Sequence, residues 1–412
     1  MKSLAEIIDT PTNHNLNNIF FNKLQSINTD SRSIKEGQIF LALEGKSFDG
    51  HDHIAEALEK GAVHVITHKE INNIEKDKLC LVENTLKTYH QLASLYIKTL
   101  NPLVIAVTGS SGKTTTKEIL VKVLSKKFKV HATEKNFNNE IGVPKTILEM
   151  STDTEILILE MGMRGIGEIS LLSKTGRPNI ALITNIGSAH IERLGSIENI
   201  RKAKLEIIDG LESYHGWREL NMTLIVDEDN YKKLKETGKE LPKNTLSFNS
   251  EAAFKLNTLR SSGLNADVNA VAKIASLLGL TEKEIQEGIL EYSPEAGRGK
   301  ITKDQTGNII IDDSYNANPE SVRNSIEALI TEFQDKKKIA VIGEIAESQP
   351  ELVDELFQEL SHNSSIEIID ARKREISEIK KELEEKLDGN SVVLVKASRS
   401  AGLERLLMKG DG

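Results

Sequence analysis

The stretch VIAVTGSSGKTTTKEIL, residues 104–120, constrains this chain more than any other. Apolar and small residues run into Thr108-Gly109-Ser110-Ser111-Gly112-Lys113-Thr114-Thr115, and a helical pattern follows. A tight turn between a buried strand and a helix N-terminus points backbone N–H groups at an anion, and the helix dipole favours negative charge there. Gly109 and Gly112 leave room for the backbone to approach phosphate oxygens. In this reading Ser110, Ser111 and Thr115 complete the cradle, Lys113 reaches the β- and γ-phosphates of a nucleotide, and the Thr114 hydroxyl ligates Mg²⁺. Ile119/Val123 and Leu120/Leu124 at i, i+4 spacing make the helix amphipathic. The general phosphate-loop pattern wants a glycine five positions before Gly112, where Val107 stands. A plain helix-start turn is the alternative; the strand before and the helix after favour the nucleotide.

The 412 residues exceed one hydrophobic core, and pattern divides them into three blocks. Residues 1–100 carry short strand-like runs, IFLAL (39–43), VHVIT (63–67) and LCLV (79–82), with helical stretches around 53–60 and 85–99. Residues 101–296 open at Asn101-Pro102 and add EILILE (155–160), IALITNI (180–186) and TLIVD (223–227), alternating with helices. Residues 297–412 repeat the plan with NIIIDD, KIAVIG, SIEIID and VVLV. Such alternation predicts an α/β fold whose parallel sheets are covered on both faces. In the helix predicted through KREISEIKKELEEKL, Ile376, Ile379, Leu383 and Leu387 form the apolar stripe. Pro294 and Gly297, in SPEAGR, mark a boundary and a hinge.

Bulk properties narrow the class. A net charge of −9 argues against general nucleic-acid or anionic-membrane binding. The single cysteine, Cys80, lies in an apolar run and reads as a buried structural thiol; no Cys/His cluster in the sequence suggests zinc. The N-terminus lacks a signal-peptide pattern and no run approaches the ~18 apolar residues of a membrane span. A cytoplasmic protein is expected. There is no GxSxG elbow, no HExxH and no plausible catalytic cysteine. The chain offers positioning and charge, which suffices for phosphoryl transfer when the substrate brings the attacking group.

The loop, then TEKNFNNEIGVPKTIL (133–148), EMGMRGIGEI (160–169), ITNIGSAHIERLGS (183–196) and IDDSYNANPES (311–321), occur in this order. Together they resemble the Mur ligases of peptidoglycan synthesis. NTDSRSIKEGQIFLALEGKSFDGHDHIAEALEKGA (28–62) is similar to the UDP-binding N-terminal domain of that family. The resemblance implies three domains: UDP-sugar-binding (1–100), central ATP-binding with a P-loop-type parallel sheet (101–296), and a C-terminal Rossmann-like domain (297–412). NFNNEIGVP and the EMG variant lean toward the branch that joins D-alanyl-D-alanine to UDP-N-acetylmuramoyl-tripeptide. The reaction it implies uses ATP and two Mg²⁺ ions and passes through an acyl phosphate formed on the substrate carboxylate.

Residue by residue, the resemblance implies metal contacts from Thr114, Glu160 at the end of EILILE, His190, and Lys204 as a carbamate, with Lys113, Glu160, His190 and Lys204 catalytic. Asn138 and Asn139 match positions at the acyl end of the substrate. Asn269 matches an asparagine near adenine. Arg298, Asp313, Tyr315 and Asn316 match C-terminal contacts with nucleotide or substrate. Ser31 and Arg32 match the uridine-diphosphate loop. Lys396, Ser398 and Arg399, in VKASRS, match a motif for the incoming dipeptide. The small-molecule substrates are the expected partners, and a monomer is expected.

Some segments depart from the family pattern. GLNADVNA (263–270) has Asn265 and Ala266 where His-Asn is usual, and VDEDN (226–230) replaces an Asn-x-Asp-Asp-type segment. GEIAESQPE (343–351) keeps Glu347 without the usual Gly and His, and VKASRS has Ala397 and Ser400 where Gly is common. They bear on adenine contacts and dipeptide handling.

Overall fold

The structure is a computed structural model and describes residues 24, 26–45, 47–72, 74–187, 189–249, 261–346 and 348–407. Glu347 lies outside the described residues.

The first block builds a four-stranded parallel sheet, β1 (Ile27–Asn28), β2 (Ile39–Leu41), β3 (His64–Thr67) and β4 (Leu79–Leu81), in that spatial order. Helix α1 (Ile54–Glu59) follows β2. Helix α2 (Thr85–Leu100) starts under an Asn84 cap that accepts the Lys87 N–H, and ends at Asn101 in the left-handed region just before Pro102. Cys80 is fully buried in the core beside α2, and burial pushes its thiol up to about 12, so it is an inert packing residue. Tyr96 of α2 donates to the Met150 carbonyl at 2.9 Å and His90 meets Thr175 at 2.6 Å, so this helix also packs on the second block.

The second block is a six-stranded all-parallel sheet. Its strands are β5 (Leu103–Thr108), β6 (Val130–Ala132), β7 (Ile156–Glu160), β8 (Ile180–Ile183), β11 (Thr223–Asp227) and β12 (Asn244–Phe248); a small antiparallel hairpin, β9 (Tyr214–His215) with β10 (Glu219–Leu220), lies apart from it. The order is β12-β11-β8-β5-β7-β6. β5, β7 and β8 are apolar on both faces because helices cover both, as unbroken Ile/Leu/Val runs require. Strands β6 and β12 carry no such run, which is why periodicity did not predict them: they are half-buried edge strands. The chain passes from β7 on one side of β5 to β8 on the other, so the strand order reverses at β5 and opens a crevice beyond its carboxyl end.

Around the sheet lie α3 (Lys113–Leu124), α4 (Gly142–Leu148), α5 (Glu168–Gly176), α6 (Ile191–Leu194), α7 (Ile197–Leu205), α8 (Glu228–Lys235), α9 (Ser261–Leu277) and α10 (Glu282–Leu290). Both α9 and α10 pack against α3.

The third block has five strands in the order β13-β14-β17-β15-β16: β13 (Lys300–Lys303), β14 (Ile309–Asp313), β15 (Lys337–Ile342), β16 (Glu367–Asp370) and β17 (Ser391–Lys396). All pair in parallel except β13, a polar, largely exposed edge strand antiparallel to β14. Its helices are α11 (Pro319–Glu332), α12 (Pro350–Ser361) and α13 (Ile376–Lys386). Pro319 opens α11 under an Asn318/Ser321 capping box. On α13 the predicted stripe packs on the core, though Leu387 lies one residue beyond the helix in extended backbone.

Candidate active site

The carboxyl ends of β5, β7, β8 and β14 border one cleft of 1440 Å³, walled by the second block below and the third above. Pockets for one small ligand hold about 300–1,000 Å³. This cleft is roomy enough for more than one reactant.

Local sequence fixes the loop at its floor. Gly109 could be nothing larger, since an added Cβ would sit 1.9 Å from Thr184 Oγ1. Gly112 turns the chain into α3 at φ +77°, a conformation that disfavours side chains. The Lys113 ammonium folds back to the Gly109 carbonyl at 2.7 Å, spanning the loop. The structure revises which amides face an anion. The N–H groups of Ser110 and Ser111 donate to the Asn185 side-chain oxygen at 3.0 and 2.9 Å, and the Thr184 hydroxyl donates to the Ser111 carbonyl at 2.6 Å. The helix-start amides of Thr114 and Thr115 have no acceptor within α3, the kind of donor that an anion at a helix start takes. Asn185 and Thr184 stand within the quoted ITNI run, yet only the β5/β8 pairing reveals that they brace the loop.

Glu160 ends β7 with only 2% of its surface exposed. Its two oxygens accept from the Thr114 hydroxyl at 2.9 Å and from Asn138 Nδ2 at 2.8 Å. A hydroxyl and a buried carboxylate side by side at the loop form a hard oxygen pair suited to Mg²⁺. His190 lines the same cleft from a left-handed backbone conformation, φ +66°, rare for a residue with a side chain. Lys204, near the end of α7, lies under the cleft rather than on its wall, with 1% exposed. Burial and the charge of Lys113 hold its amine well below the ordinary lysine value, and only Glu320 pulls the other way. Glu320, from the start of α11, is itself pushed up by burial and the Asp227 charge.

The third block contributes a different kind of site. Asp313, at the end of β14, accepts from the Lys396 ammonium at 2.8 Å and the Ser325 hydroxyl at 3.0 Å. The Arg298 guanidinium lies 3.9 Å from the centre of the Tyr315 ring, and Arg399 lies 5.3 Å from it. Asn316 lines the cleft, while its side-chain oxygen accepts the Ala317 N–H.

Not every expected residue turns its side chain to the cleft. Asn139 lines it, but its oxygen accepts the Ile141 and Gly142 amides and so starts α4. Asn269 lies beneath the wall on α9 and donates to the Asn249 carbonyl at 2.8 Å; Leu264, Ala266 and Asp267 of the same helix stand on the wall instead. Ser398 is turned away, accepting the Ala346 N–H at 2.8 Å, and Arg399 is exposed beyond the rim. Ser31 and Arg32 lie apart in the first block. The Ser31 hydroxyl donates to Glu56 at 3.2 Å, and Arg32, 82% exposed, forks onto Asp30.

Sequence reasoning missed Asp267. The Thr116 hydroxyl donates to it at 2.7 Å, and an added Cβ at Gly112 would meet it at 2.6 Å. Burial pushes its carboxyl up to about 7, with the Thr116 hydrogen bond pulling weakly back. Without a charge partner in the sequence nearby, nothing distinguished it from a helix-surface acid.

Comparison with known proteins agrees with this architecture. Three family models match in succession: the Mur ligase family catalytic domain over residues 23–95, the Mur ligase middle domain over 107–293 and the Mur ligase glutamate ligase domain over 297–411. A UDP-N-acetylmuramoyl-tripeptide–D-alanyl-D-alanine ligase of Bacillus subtilis is 36% identical over 341 residues, 79% of this chain and 74% of the relative. The MurF ligase from Thermotoga maritima, solved in complex with ADP, superposes with a TM-score of 0.80 at 31% identity, covering 93% of this chain and 97% of that one. MurF from Acinetobacter baumannii superposes with a TM-score of 0.80 at 26% identity over 92% of each chain. With its ordered motifs, its three α/β blocks and these relatives in agreement, the chain belongs to the Mur ligase family.

Proposed function

We propose that this protein joins D-alanyl-D-alanine to UDP-N-acetylmuramoyl-tripeptide at the expense of ATP, giving UDP-MurNAc-pentapeptide, ADP and phosphate. The observation that carries the reading is convergence: the phosphate loop, the Thr114–Glu160 pair, His190 and the third-block residues Asp313, Tyr315 and Lys396 border one cleft large enough for joint occupancy. The named relatives supply the substrates.

In this mechanism the helix-start amides and Lys113 hold the β- and γ-phosphates. A substrate carboxylate oxygen attacks the γ-phosphorus, the bond to the β-phosphate oxygen breaks, and ADP leaves an acyl phosphate. The dipeptide amine then attacks the acyl carbon, the C–O bond to phosphate breaks, and the amine's proton is lost to solvent. Thr114, Glu160, His190 and Lys204 would hold the Mg²⁺ ions, which when bound would neutralise charge at the reacting oxygens. Lys204 fits that role as a carbamate: a buried amine whose protonation is disfavoured can take up CO₂, R–NH₂ + CO₂ → R–NH–COO⁻ + H⁺, turning a neutral group into an anion. Asn138, already on Glu160, aims at the acyl end. Arg298, Tyr315 and Asn316 contact nucleotide or substrate, Ser31 and Arg32 take the uridine diphosphate, and Lys396 and Arg399 meet the dipeptide.

The three blocks act as the domains 1–100, 101–296 and 297–412, and the third closes over ATP about Ser293–Arg298, excluding water from the acyl phosphate. Unchanged solution scattering on adding an ATP analogue with both substrates would count against closure. The decisive assay is phosphate release from Mg·ATP with and without each substrate. Release that requires both, with a pentapeptide product, is expected; release indifferent to either would sink the substrates named here.

A further inference from the structure

Away from the cleft, the carboxyl ends of β2 and β3 bring together three side chains to which the ligase mechanism assigns no step. Glu44 and Asp49 form an antiparallel bridge that closes a tight loop after β2. Asp49 then caps the turn that carries His51, accepting its N–H at 3.0 Å, and His68 follows β3 directly. One ligand atom from each of Glu44, His51 and His68 lies within 4.8 Å of the others. We infer that Glu44, His51 and His68 form a binding site for a divalent transition metal of the Zn²⁺ class.

Three observations carry this. The His51 side chain is 3% exposed, and its Nε2 is buried with no hydrogen-bond partner among the described residues. A buried polar nitrogen left unsatisfied costs stability unless something outside the chain binds it. Second, the other nitrogen is already committed: His51 Nδ1 lies 2.5 Å from Asp49 Oδ1, an arrangement that puts the proton on Nδ1 and the lone pair on Nε2. This carboxylate–imidazole pairing is how proteins orient a histidine for a metal. Third, the remaining donors lie close by, with one ligand atom each of His51, His68 and Glu44 within 4.8 Å of the others. His68 Nε2 is 3.2 Å from Glu44 Oε2, and the two imidazole rings meet edge-to-face with centroids 4.3 Å apart.

Two imidazoles and one carboxylate suit Zn²⁺, Co²⁺ or Ni²⁺ rather than Mg²⁺ or Ca²⁺, which prefer oxygen. Bonds of about 2.0–2.2 Å place any two ligand atoms no more than about 4.4 Å apart. The 4.8 Å limit on the present separations is only slightly wider than that, and the half-exposed Glu44 side chain already has an oxygen 3.2 Å from His68 Nε2. Lys69 is the competitor, 3.5 Å from Glu44. It lies nearer Asp49, at 2.5 Å, and this bond holds the Asp49 carboxyl well below the usual carboxylate range. The lysine's charge is thus matched outside the ligand set. Three protein ligands leave a position for water, and a bound ion would clamp the loop after β2 to the end of β3.

The test is equilibrium dialysis of the full chain against Zn²⁺ in saturating Mg²⁺, read by elemental analysis, with Co²⁺ absorption reporting ligand geometry. Wild type should hold one Zn²⁺ more per chain than His68→Ala and should show low-symmetry Co²⁺ bands that this variant lacks. Glu44→Gln should weaken binding. Asp49→Asn, which keeps the turn cap, should lower affinity about 10–100-fold. His51→Gln alters a buried position, so His68→Ala and Glu44→Gln, both at solvent-accessible positions, keep the test decisive if that variant misfolds. Folded His68→Ala and Glu44→Gln proteins with wild-type Zn²⁺ stoichiometry and affinity would overturn the assignment, as would a wild type that takes up no additional Zn²⁺.

Discussion

Two lysines, Lys204 in the second block and Lys396 in the third, are 1% and 3% exposed, yet their surroundings could hardly differ more. Lys396 ends a central strand and puts its ammonium on Asp313 at 2.8 Å and on the Asn316 carbonyl at 3.3 Å. Lys204 has burial and Lys113 set against its charge, with only the distant pull of Glu320 in favour. Burial alone does not decide what a lysine does. A partnered one is held as an ammonium and orders the strand ends around it; in one without such a partner the charged form is disfavoured. The third block is preorganised by charge pairs, whereas the second holds a lysine whose charge its surroundings oppose.

Replacing each lysine by methionine should separate the two most sharply. Lys204→Met should lower turnover by about 10³-fold or more, the scale of losing a charge-stabilising group at a reacting centre. It should also raise the melting temperature at neutral pH. The sign follows from linkage: the folded amine is neutral where the unfolded one, near 10.5, still binds a proton, so wild-type stability climbs as pH rises toward 10.5. The stability gap between Lys204→Met and wild type should therefore narrow over that window. Added bicarbonate should stabilise wild type alone. A Lys204→Met protein less stable than wild type across the range would break the comparison.

Asp313→Ala attacks the opposite case. It strands the Lys396 ammonium in a buried site and should cost about 3 kcal/mol by denaturant unfolding. Replacing both partners, Asp313→Leu with Lys396→Met, should recover most of that loss. Failure to recover would mean that the Ser325 and Asn316 contacts, rather than the ion pair, order this corner.

Asp267 sharpens the comparison from the acid side: it stands on the cleft wall of the second block, where desolvation, and no charged partner, sets its carboxyl. Its folded carboxyl titrates at about 7 against 3.8 unfolded, so the folded state holds its proton longer. Stability should fall as pH rises from 3.8 to 7, with the full penalty above 7. Asp267→Asn can still accept from Thr116, so it should flatten this slope and stabilise by on the order of 2 kcal/mol above pH 7. Melting curves at pH 5 and pH 8 would check it; equal gains at both would show that charge is not the cause.

The sequence readily disclosed what depends on local pattern. Buried runs such as ILILE and IALI became β7 and β8, and the glycine-bracketed turn after β5 became the loop. It disclosed less where a role depends on what lies across the fold. Asn185 reads as one more polar residue after a strand until the β5/β8 pairing sets its oxygen on the loop amides. Asn139 and Ser398 sit in matching motifs, but their side chains accept backbone amides, Asn139 from the start of α4 and Ser398 from Ala346, 52 residues away. The Glu44–His51–His68 cluster needs strand neighbours 17 or more residues apart, and no Cys/His spacing announced it.

Ser398 gives the mildest test of how far a motif can be trusted. It stands beside Lys396 in VKASRS, and the family resemblance assigns both to the dipeptide. The structure divides them. Lys396 lines the cleft, whereas the Ser398 hydroxyl accepts the Ala346 amide and its own N–H donates to the Glu344 carbonyl at 2.8 Å, tying the loop after β15 to the end of β17. Ser398→Ala removes the first of these bonds and leaves a backbone amide unsatisfied, so it should cost about 1 kcal/mol of stability. It should leave the KM for D-alanyl-D-alanine within about twofold of wild type, because no side-chain atom is lost from the cleft wall. A KM raised tenfold, about 1.4 kcal/mol of binding, with stability unchanged would show that the serine turns into the cleft when substrate arrives. The preorganisation argued for the third block would then hold for its charge pairs but not for its loops.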